Sequence, residues 1–439
     1  MLNHEDNERL VRVGPGTEMG NLMRLYWIPF LLSHNVEPDG QPYRVRLLGE
    51  ELVAFRDSDG KVGLVDQACP HRGAPMVFAR NEEKGLRCIY HGWKFDVNGA
   101  CKEMPAEPEN SPMLKNVRIK SYPVVERNGV LWTYMGSDTE QLPPLPDVEW
   151  NLVPGEQVAL SMRVQECNWL QALEGEIDSA HAAILHGRVD NAGFINEWKQ
   201  GKDLAPKFEC SQHEGGMSIA SRRKIGEGKE YIRVNQFMMP FWTLVPPQAK
   251  YPELSGHAWV PIDDNHTLCL MFSYHPAKPF YEKTRKLFDE GHMGRETGHA
   301  SKGSFELKPV TTPYHTYWNK YNRDNAYHFD YESQVNKYNA GLPGLWIQDA
   351  ACQSGVSHIY DRSKEHLGTS DTGIARTRRL LLDSVKKMSV NNTEPASVRN
   401  PDQFLWRAIS ITIPEGGDWK TLGQEYMRAN PGKDFGYEP

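Results

Sequence analysis

The sequence predicts a two-domain protein of the α+β class. A small all-β domain spans residues 28–148. A larger α+β domain spans residues 149–439, with a mixed or antiparallel sheet covered by helices. Three observations lead there. Between Arg44 and about Tyr134, short alternating runs such as RVRLLGEELVAFRD and KVGLVDQ are separated by turns such as Asp57–Gly60, the pattern of hairpins. Gly136–Trp150 is polar and then rich in proline (Pro143, Pro144, Pro146), a stiff linker. Beyond it a helical pattern at Cys167–Gly187 precedes strand-like runs at Phe208–Ile225, Glu230–Val245, Gly256–Ile262 and Thr267–His275, with helix and strand patterns in separate blocks.

Composition removes several function classes. Of 439 residues, 39% are hydrophobic and 10% aromatic, enough for a substantial core. A net charge of −7 leaves no basic stripe for nucleic acid. No run of eighteen apolar residues exists, so no membrane span is expected. The opening MLNHEDNERL is charged where a signal peptide would be apolar, so a cytoplasmic protein is expected. The seven cysteines are odd in number and scattered, which argues against disulfides. Cys101, Cys167, Cys210, Cys269 and Cys352 read as small buried hydrophobes.

Residues 1–27 read as an N-terminal segment packing on the larger domain. Within it Gly14, Gly16 and Gly20 approach a dinucleotide loop, but the spacing is one residue too long and no βαβ pattern follows. A turn before a helix at Leu22–Trp27 is the simpler reading, and the chain is not expected to take hydride from NADH itself.

The all-β domain carries the most specific motif. Cys69-Pro-His71 is followed, sixteen residues on, by Cys88-Ile-Tyr-His91, each half in a loop after a strand. Two thiolates and two imidazoles can hold a [2Fe–2S] cluster with histidines on one iron, the Rieske arrangement. A Cys2His2 zinc site uses the same donors, but normally keeps its cysteines together and its histidines together. The mixed halves here favour the cluster. Tyr90 and Trp93 are expected to pack beside it.

The second motif lies in CNWLQALEGEIDSAHAAILHG, Cys167–Gly187. Asp178, His181 and His186 fall within nine residues, and two histidines plus one distant carboxylate make a 2-His-1-carboxylate face for Fe(II) with open positions. Two histidines on a partly apolar helix are more often a polar edge. His181 and His186 are also about 140° apart on an ideal helix, so a bend must fall between them. The carboxylate must come from elsewhere. Asp349 in Gly344-Leu-Trp346-Ile-Gln-Asp349 follows an apolar stretch, with Asp361 and Asp371 as rivals and helix capping as its ordinary alternative. Residues 276–340 read as helix and loop cover whose histidines (His292, His299, His315, His328) lack a partner at ligand spacing. Arg376–Met388 reads as a basic amphipathic helix serving as packed cover.

With both motifs in view, the sequence resembles the catalytic α subunit of the Rieske non-haem iron aromatic-ring hydroxylating oxygenases, within them the phthalate 4,5-dioxygenase-like branch. The resemblance runs through nearly the whole chain, including VRLLGEELVAFRDSDGKVGL, CPHRGAP, LRCIYHGWKFDVNGAC, ECNWLQALEGEIDSAHAAILH, WIQDAA and DRSKEHLGTSD. It implies Cys69, His71, Cys88 and His91 as cluster ligands, and His181, His186 and Asp349 as ligands of a mononuclear Fe(II). It implies Asp178 as a bridge from His181 to the partner subunit's His91, and Asn168 as a neighbour of the iron. It implies homotrimers, sometimes stacked as hexamers, fed by an NADH-dependent flavin and [2Fe–2S] reductase. The implied reaction inserts O2 into an aromatic carboxylate of phthalate, isophthalate or benzoate type to give a cis-dihydrodiol. Monooxygenation of a substituted benzoate is the alternative, and an electron-transfer protein the alternative outside enzymes. The expected substrate pocket holds Ser179, Lys207, Trp242 and Trp346, with Trp169 and Phe237 helping to orient the ring and Lys207 or Arg223 holding the carboxylate. The sequence departs from the branch at Ser354, where a glutamate is usual, and at Lys207 and the FWTLVPP strand end, which offer fewer cations than a dicarboxylate needs.

Overall fold

The computed structural model describes residues 2–109, 111–190, 203–247, 253–280, 282, 285–286 and 312–434. The expected histidines His292 and His299 lie outside the described residues.

Helices α1 (His4–Val11) and α2 (Glu18–Arg24) open the chain. Asn3 and Thr17 cap them by accepting the Asp6 and Gly20 backbone N–H groups. The helix expected at Leu22–Trp27 thus begins earlier, at the Thr17 cap, and Trp27 already starts strand β1 (Trp27–Leu32). Strands β2 (Tyr43–Leu47), β3 (Glu50–Arg56) and β4 (Val62–Asp66) follow, then β5 (Arg80–Glu82), β6 (Gly85–Arg87), β7 (Lys94–Phe95) and β8 (Cys101–Glu103). After the turn of helix α3 (Met113–Asn116) come β9 (Ser121–Tyr122), β10 (Val124–Arg127) and β11 (Val130–Tyr134). They form three small antiparallel sheets, ordered β1-β11-β10, β2-β3-β4-β9 and β5-β6-β7-β8.

The larger domain is built on one eight-stranded sheet whose strand-to-strand pairs are all antiparallel, with a single parallel bridge from Val164 to Trp318 at its β12 edge. Its strands are β12 (Val158–Gln165), β13 (Lys207–His213), β14 (Gly216–Gly226), β15 (Lys229–Met238), β16 (Trp242–Val245), β17 (Leu254–Pro261), β18 (Thr267–Tyr274) and β19 (Ile409–Pro414). The run expected as one strand at Phe208–Ile225 is a hairpin broken at Glu214-Gly215, and Glu230–Val245 is broken at Met239-Pro240-Phe241. Helices α4 (Trp169–Ile177), α5 (Ala182–Leu185), α6 (Tyr331–Asn336), α7 (Leu345–Ser354), α8 (Thr372–Asn391) and α9 (Trp419–Met427) complete the set described.

The register divides the sheet into two faces, because directly paired residues point the same way. Ser221 pairs with Arg233, Ile219 with Asn235 and Thr243 with His257, and this inner face meets α4. Lys207 pairs with Arg222, Ser218 with Gln236 and Trp242 with Ala258 on the outer face. There Trp242 stacks 5.7 Å from Trp132 of β11, which stacks 5.9 Å from Trp150. These rings knit the small domain to the sheet.

Beneath α4 lies a buried ion cluster. Glu174 accepts from Arg378 of α8 at 2.6 and 2.9 Å and from Arg362 at 3.1 Å, and Arg362 also reaches Asn7 of α1 at 3.2 Å. Burial alone would raise the Glu174 pKa, but the two guanidinium groups outweigh it and hold it below its ordinary value. All seven cysteines are free. Cys352 is exposed rather than buried as expected, because it falls on the outer side of α7.

Glu174→Gln is expected to destabilise the larger domain by about 3–5 kcal/mol at pH 7, by leaving buried guanidinium charge unpaired. A carboxyl depressed by folding stabilises the protein above its unfolded pKa of about 4.3, and that contribution fades as pH falls through its folded value. The gap in thermal midpoint between wild type and variant should therefore be full at neutral pH and narrow below about pH 4.

Candidate metal centres

The first centre forms where two loops of the small domain meet. In one, the Gly73 N–H donates to Cys69 O at 2.8 Å. In the other, Gly92 donates to Cys88 O at 3.0 Å. The Cys69 and Cys88 N–H groups in turn donate to Ala74 O and Trp93 O, so the loops are copies of one tight turn. Both glycines have positive φ (+72° and +75°), a region glycine enters without strain. At Gly92 a Cβ would also lie 2.6 Å from Pro105. The turns bring the buried Cys69 thiol into a hydrogen bond with Cys88. The His71 and His91 rings lie 4.4 Å apart at 69°. Trp93 stacks on His71 at 4.3 Å and Tyr90 lies 3.9 Å from His91. His71 Nδ1 is buried with no hydrogen-bond partner, as expected of an atom kept for a metal. Two thiols and two imidazoles, one with an orphaned nitrogen, fit a [2Fe–2S] cluster with mixed ligands.

The second centre depends on a break in a helix. Asn168 caps α4 at its start, accepting the Leu170 N–H at 3.1 Å, and the helix stops at Ile177. Asp178 leaves helical geometry (ψ 98°), and its Oδ1 accepts the Ala180 N–H at 2.8 Å. The short helix α5 then begins on a new axis. Arg223 of β14 clamps the break: one Nη donates to Ser179 O at 2.7 Å, the other to Ser221 Oγ at 2.8 Å. Ser221 Oγ in turn donates to Ser179 Oγ at 3.0 Å. The bend turns His181 and His186 toward each other, rings 5.2 Å apart at 80°.

Asp349, in the second turn of α7, supplies the third group. Its Oδ1 lies 3.4 Å from His181 Nε2 and 3.6 Å from His186 Nε2, and one donor atom from each of the three lies within 4.8 Å of the others. The outer nitrogens are also engaged. His181 Nδ1 faces Asp178 Oδ2 at 3.5 Å, and His186 Nδ1 meets Gln348 Oε1 at 2.8 Å. Gln348 is itself held by the Leu342 carbonyl at 3.0 Å. Outer partners of this kind fix the tautomer that presents Nε2. Burial disfavours the His181 cation, but Asp178 and Asp349 outweigh it and raise its pKa to about 9. Burial lowers His186. The donor set and its outer shell fit a divalent iron with open positions. Asp361 and Asp371 are spent on turn caps, accepting from Ser363 N and Gly368 N.

Several expected residues fall elsewhere. Asn168 lies at the far end of α4 from the two histidines, about 13–15 Å along its axis, and its amide donates to Val11 O and Asp264 O; it is a cap, not a neighbour of the metal donors. Trp169 sits there too, donating to Leu10 O. Lys207 is exposed on the outer face with Arg222, and Trp242 is in the outer core; neither reaches the side of the sheet that α4 covers. Ser179 lies in the break, Phe237 on the inner face, and Trp346 one turn before Asp349, stacked 6.1 Å from Trp259. Gln348, Glu176, Asn235 and His257 were missed. His257 Nδ1 lies 2.9 Å from Glu176, whose carbonyl accepts from Asn235. Only the adjacency of Gln348 to Asp349 was visible beforehand.

The chain resembles known proteins over nearly its whole length. Residues 26–123 match the Rieske [2Fe–2S] domain, and residues 133–436 match the family described as LigXa C-terminal domain like. The chain is 36% identical over 427 residues to the 3-chlorobenzoate-3,4-dioxygenase oxygenase subunit of Comamonas testosteroni, covering 96% of this chain and 98% of that one. This chain belongs to the Rieske non-haem iron oxygenases. The phthalate 4,5-dioxygenase oxygenase subunit of Pseudomonas putida is also 36% identical, over 100% of this chain and 99% of that one. Among solved structures, the terminal oxygenase of carbazole 1,9a-dioxygenase from Nocardioides aromaticivorans IC177 shares the fold at a TM-score of 0.56 and 16% identity, over 87% of this chain and 98% of that one. The protein is thus an oxygenase component with a Rieske cluster and a mononuclear iron, of the kind that serves aromatic oxygenase systems. No helix among its described residues is long and apolar enough to cross a membrane.

Gln348→Leu removes the partner of His186 Nδ1. Iron affinity of the second centre is expected to fall roughly 10–100-fold, read as faster loss of one iron per chain to a chelator. The visible spectrum of the [2Fe–2S] cluster should stay unchanged.

Proposed function

We propose that this oxygenase acts on an aromatic carboxylate of benzoate, phthalate or isophthalate type and inserts both atoms of O2 to give a cis-dihydrodiol. In this reading Cys69, His71, Cys88 and His91 hold the cluster, and His181, His186 and Asp349 hold the iron. The iron, when bound, supplies open positions for O2 beside the ring. Asp178 keeps His181 oriented with Nε2 inward. The Asp178 side chain is still 24% exposed, open to the partner subunit's His91 in a homotrimer. Ile89 and Tyr90, 62% and 56% exposed beside His91, supply apolar surface for such a contact. Electrons come from a separate NADH-dependent flavin and [2Fe–2S] reductase. In this chain Gly14 and Thr17 are spent on a turn and a helix cap, and no dinucleotide loop remains there.

The observation that carries the carboxylate is Arg223. Its side chain is buried, 1% exposed, two residues from the Ser221 hydroxyl and against Ser179, next to Asp178. Its Nε is buried without a partner. Burial, reinforced by the like charge of Arg233, lowers its pKa to about 10, and an anion docked there would relieve both penalties. Trp346 and Phe237 would bound the ring. One carboxylate anchored in this way favours a monocarboxylate over phthalate.

The 5,5'-dehydrodivanillate O-demethylase oxygenase subunit of Sphingobium sp., 32% identical over 94% of this chain, supports a second reading, monooxygenation of a methoxy- or phenoxy-benzoate. A single turnover separates the two. The enzyme is reduced without oxygen, divided among benzoate, 3-chlorobenzoate, phthalates and methoxy- or phenoxy-benzoates, then given O2. Gain of two oxygens and two hydrogens by one acid is the expected result. Gain of one oxygen, or loss of a methyl, assigns the second reading.

Asp178→Asn should leave iron and cluster content unchanged and slow product formation in that assay; loss of the iron would sink the bridging role. Arg223→Lys keeps the charge but loses the fork. It should raise KM for the carboxylate roughly tenfold, the scale of one charged hydrogen bond, with iron content kept. Iron loss there would reduce Arg223 to a clamp of the helix break.

A further inference from the structure

The inner face of the sheet carries a titratable pair, His257 and Glu176, that neither metal centre uses. Phe237, Thr243 and His257 form one row across β15, β16 and β17, so their side chains point the same way. Phe237 and Trp346 bound the proposed ring site, and His257 connects the two walls. Its ring lies 5.1 Å from Trp259, which stacks 6.1 Å from Trp346 at 6°. Trp346 in turn sits one helical turn before Asp349. The polar groups around His257 are spent. Thr243 Oγ1 accepts the Trp259 indole N–H at 2.8 Å, and the Asn235 amide, two residues before Phe237, donates to Glu176 O at 3.0 Å.

His257 is held from one side only. Its Nδ1 lies 2.9 Å from Glu176 Oε2 and is sealed from solvent. Nε2 is not sealed: the side chain keeps 11% of its surface, and no hydrogen bond reaches Nε2 among the described residues. A carboxylate beside Nδ1 keeps the proton on that nitrogen and leaves Nε2 of the neutral ring as an acceptor. Glu176 also cancels any charge that the ring carries. A second carboxylate would therefore find no net cation at this end of the site. A hydroxyl, both donor and acceptor, meets Nε2 in either protonation state.

We propose that His257, held by Glu176, is a specificity-determining residue that takes a ring hydroxyl of the substrate, so that the enzyme selects a hydroxylated aromatic acid over a benzenedicarboxylate. This inference rests on the aromatic-acid reading above and narrows it. The neutral end of the ring goes to His257, and the carboxylate is left to Arg223. A site whose polar atom is placed for a hydroxyl rejects the analogue lacking it, because that atom is then desolvated and unpaired.

The test is equilibrium dialysis against the holo-oxygenase kept without oxygen, so that nothing turns over. The probes are benzoate, the hydroxybenzoate and benzenedicarboxylate isomers, phenol and toluene. In wild type one hydroxybenzoate is expected to bind roughly tenfold more tightly than benzoate, the scale of one hydrogen bond, and more tightly than the dicarboxylate substituted at the same ring position. His257→Phe should erase that preference and leave the affinity for benzoate in place. His257→Gln, which keeps a hydrogen-bonding amide, should restore part of it. Glu176→Gln should narrow the gap between hydroxybenzoate and dicarboxylate. Equal wild-type affinities for benzoate and every hydroxybenzoate would overturn the proposal, and that comparison needs no variant to fold. A preference unchanged in His257→Phe, or one that falls there only because all acids bind more weakly alike, would overturn it too. Failure of the carboxylate reading looks different: no acid binds, while phenol still binds more tightly than toluene and loses that advantage in His257→Phe.

Discussion

The second metal centre exists because one helix is not allowed to continue. Were α4 unbroken through His186, the two histidines would point about 140° apart and no ion could touch both. Three interactions enforce the break. Asp178 turns back on the Ala180 N–H, Arg223 takes the Ser179 carbonyl, and Ser221 takes its hydroxyl. A buried arginine donating to a free carbonyl at a helix end satisfies a group that would otherwise be orphaned in an apolar surrounding. The clamp comes from β14, so sheet and centre are mechanically one object.

The same economy governs the neighbouring residues. Asp178 serves the turn through Oδ1 and His181 through Oδ2. Gln348 and Asp349, adjacent on α7, serve one histidine between them: Gln348 orients His186 and Asp349 meets its opposite nitrogen. Glu174, one helical turn before Asp178, anchors α4 to α8 and α1 through two arginines. The helix is therefore pinned at its cap, along its length and at its break, which suits a site needing fixed donor geometry.

The sheet decides what each polar residue can do. Neighbouring side chains on a strand point to opposite faces, so Arg222 and Arg223 differ completely in role: the first meets Glu230 and Glu209 outside, the second the helix break inside. The tryptophans divide in the same manner. Trp242 stacks on the small domain, and Trp259 and Trp346 stack toward the helices.

The Cys-x-His and Cys-x-x-His halves of the cluster were legible in the sequence because each half is local: a tight turn with glycine in the left-handed region carries its own geometry. His181 and His186 were legible as candidates, together with the need for a bend, because helical spacing is a local property. The substrate pocket was not. Lys207 and Trp242 seemed suitable by residue type, but a strand register places them on the outer face, and register is set by pairing with strands far along the chain. Arg223, His257 and Gln348 carry no motif, and they matter only because distant elements meet. The sequence by itself determined which groups can bind iron and sulfur, since that chemistry belongs to side chains at short spacing. Spacing alone left Asp349 among rivals, and only the resemblance singled it out; the tertiary structure shows that it lies beside His181 and His186 and that Arg223 stands at the helix break, since both depend on long-range packing that no spacing encodes.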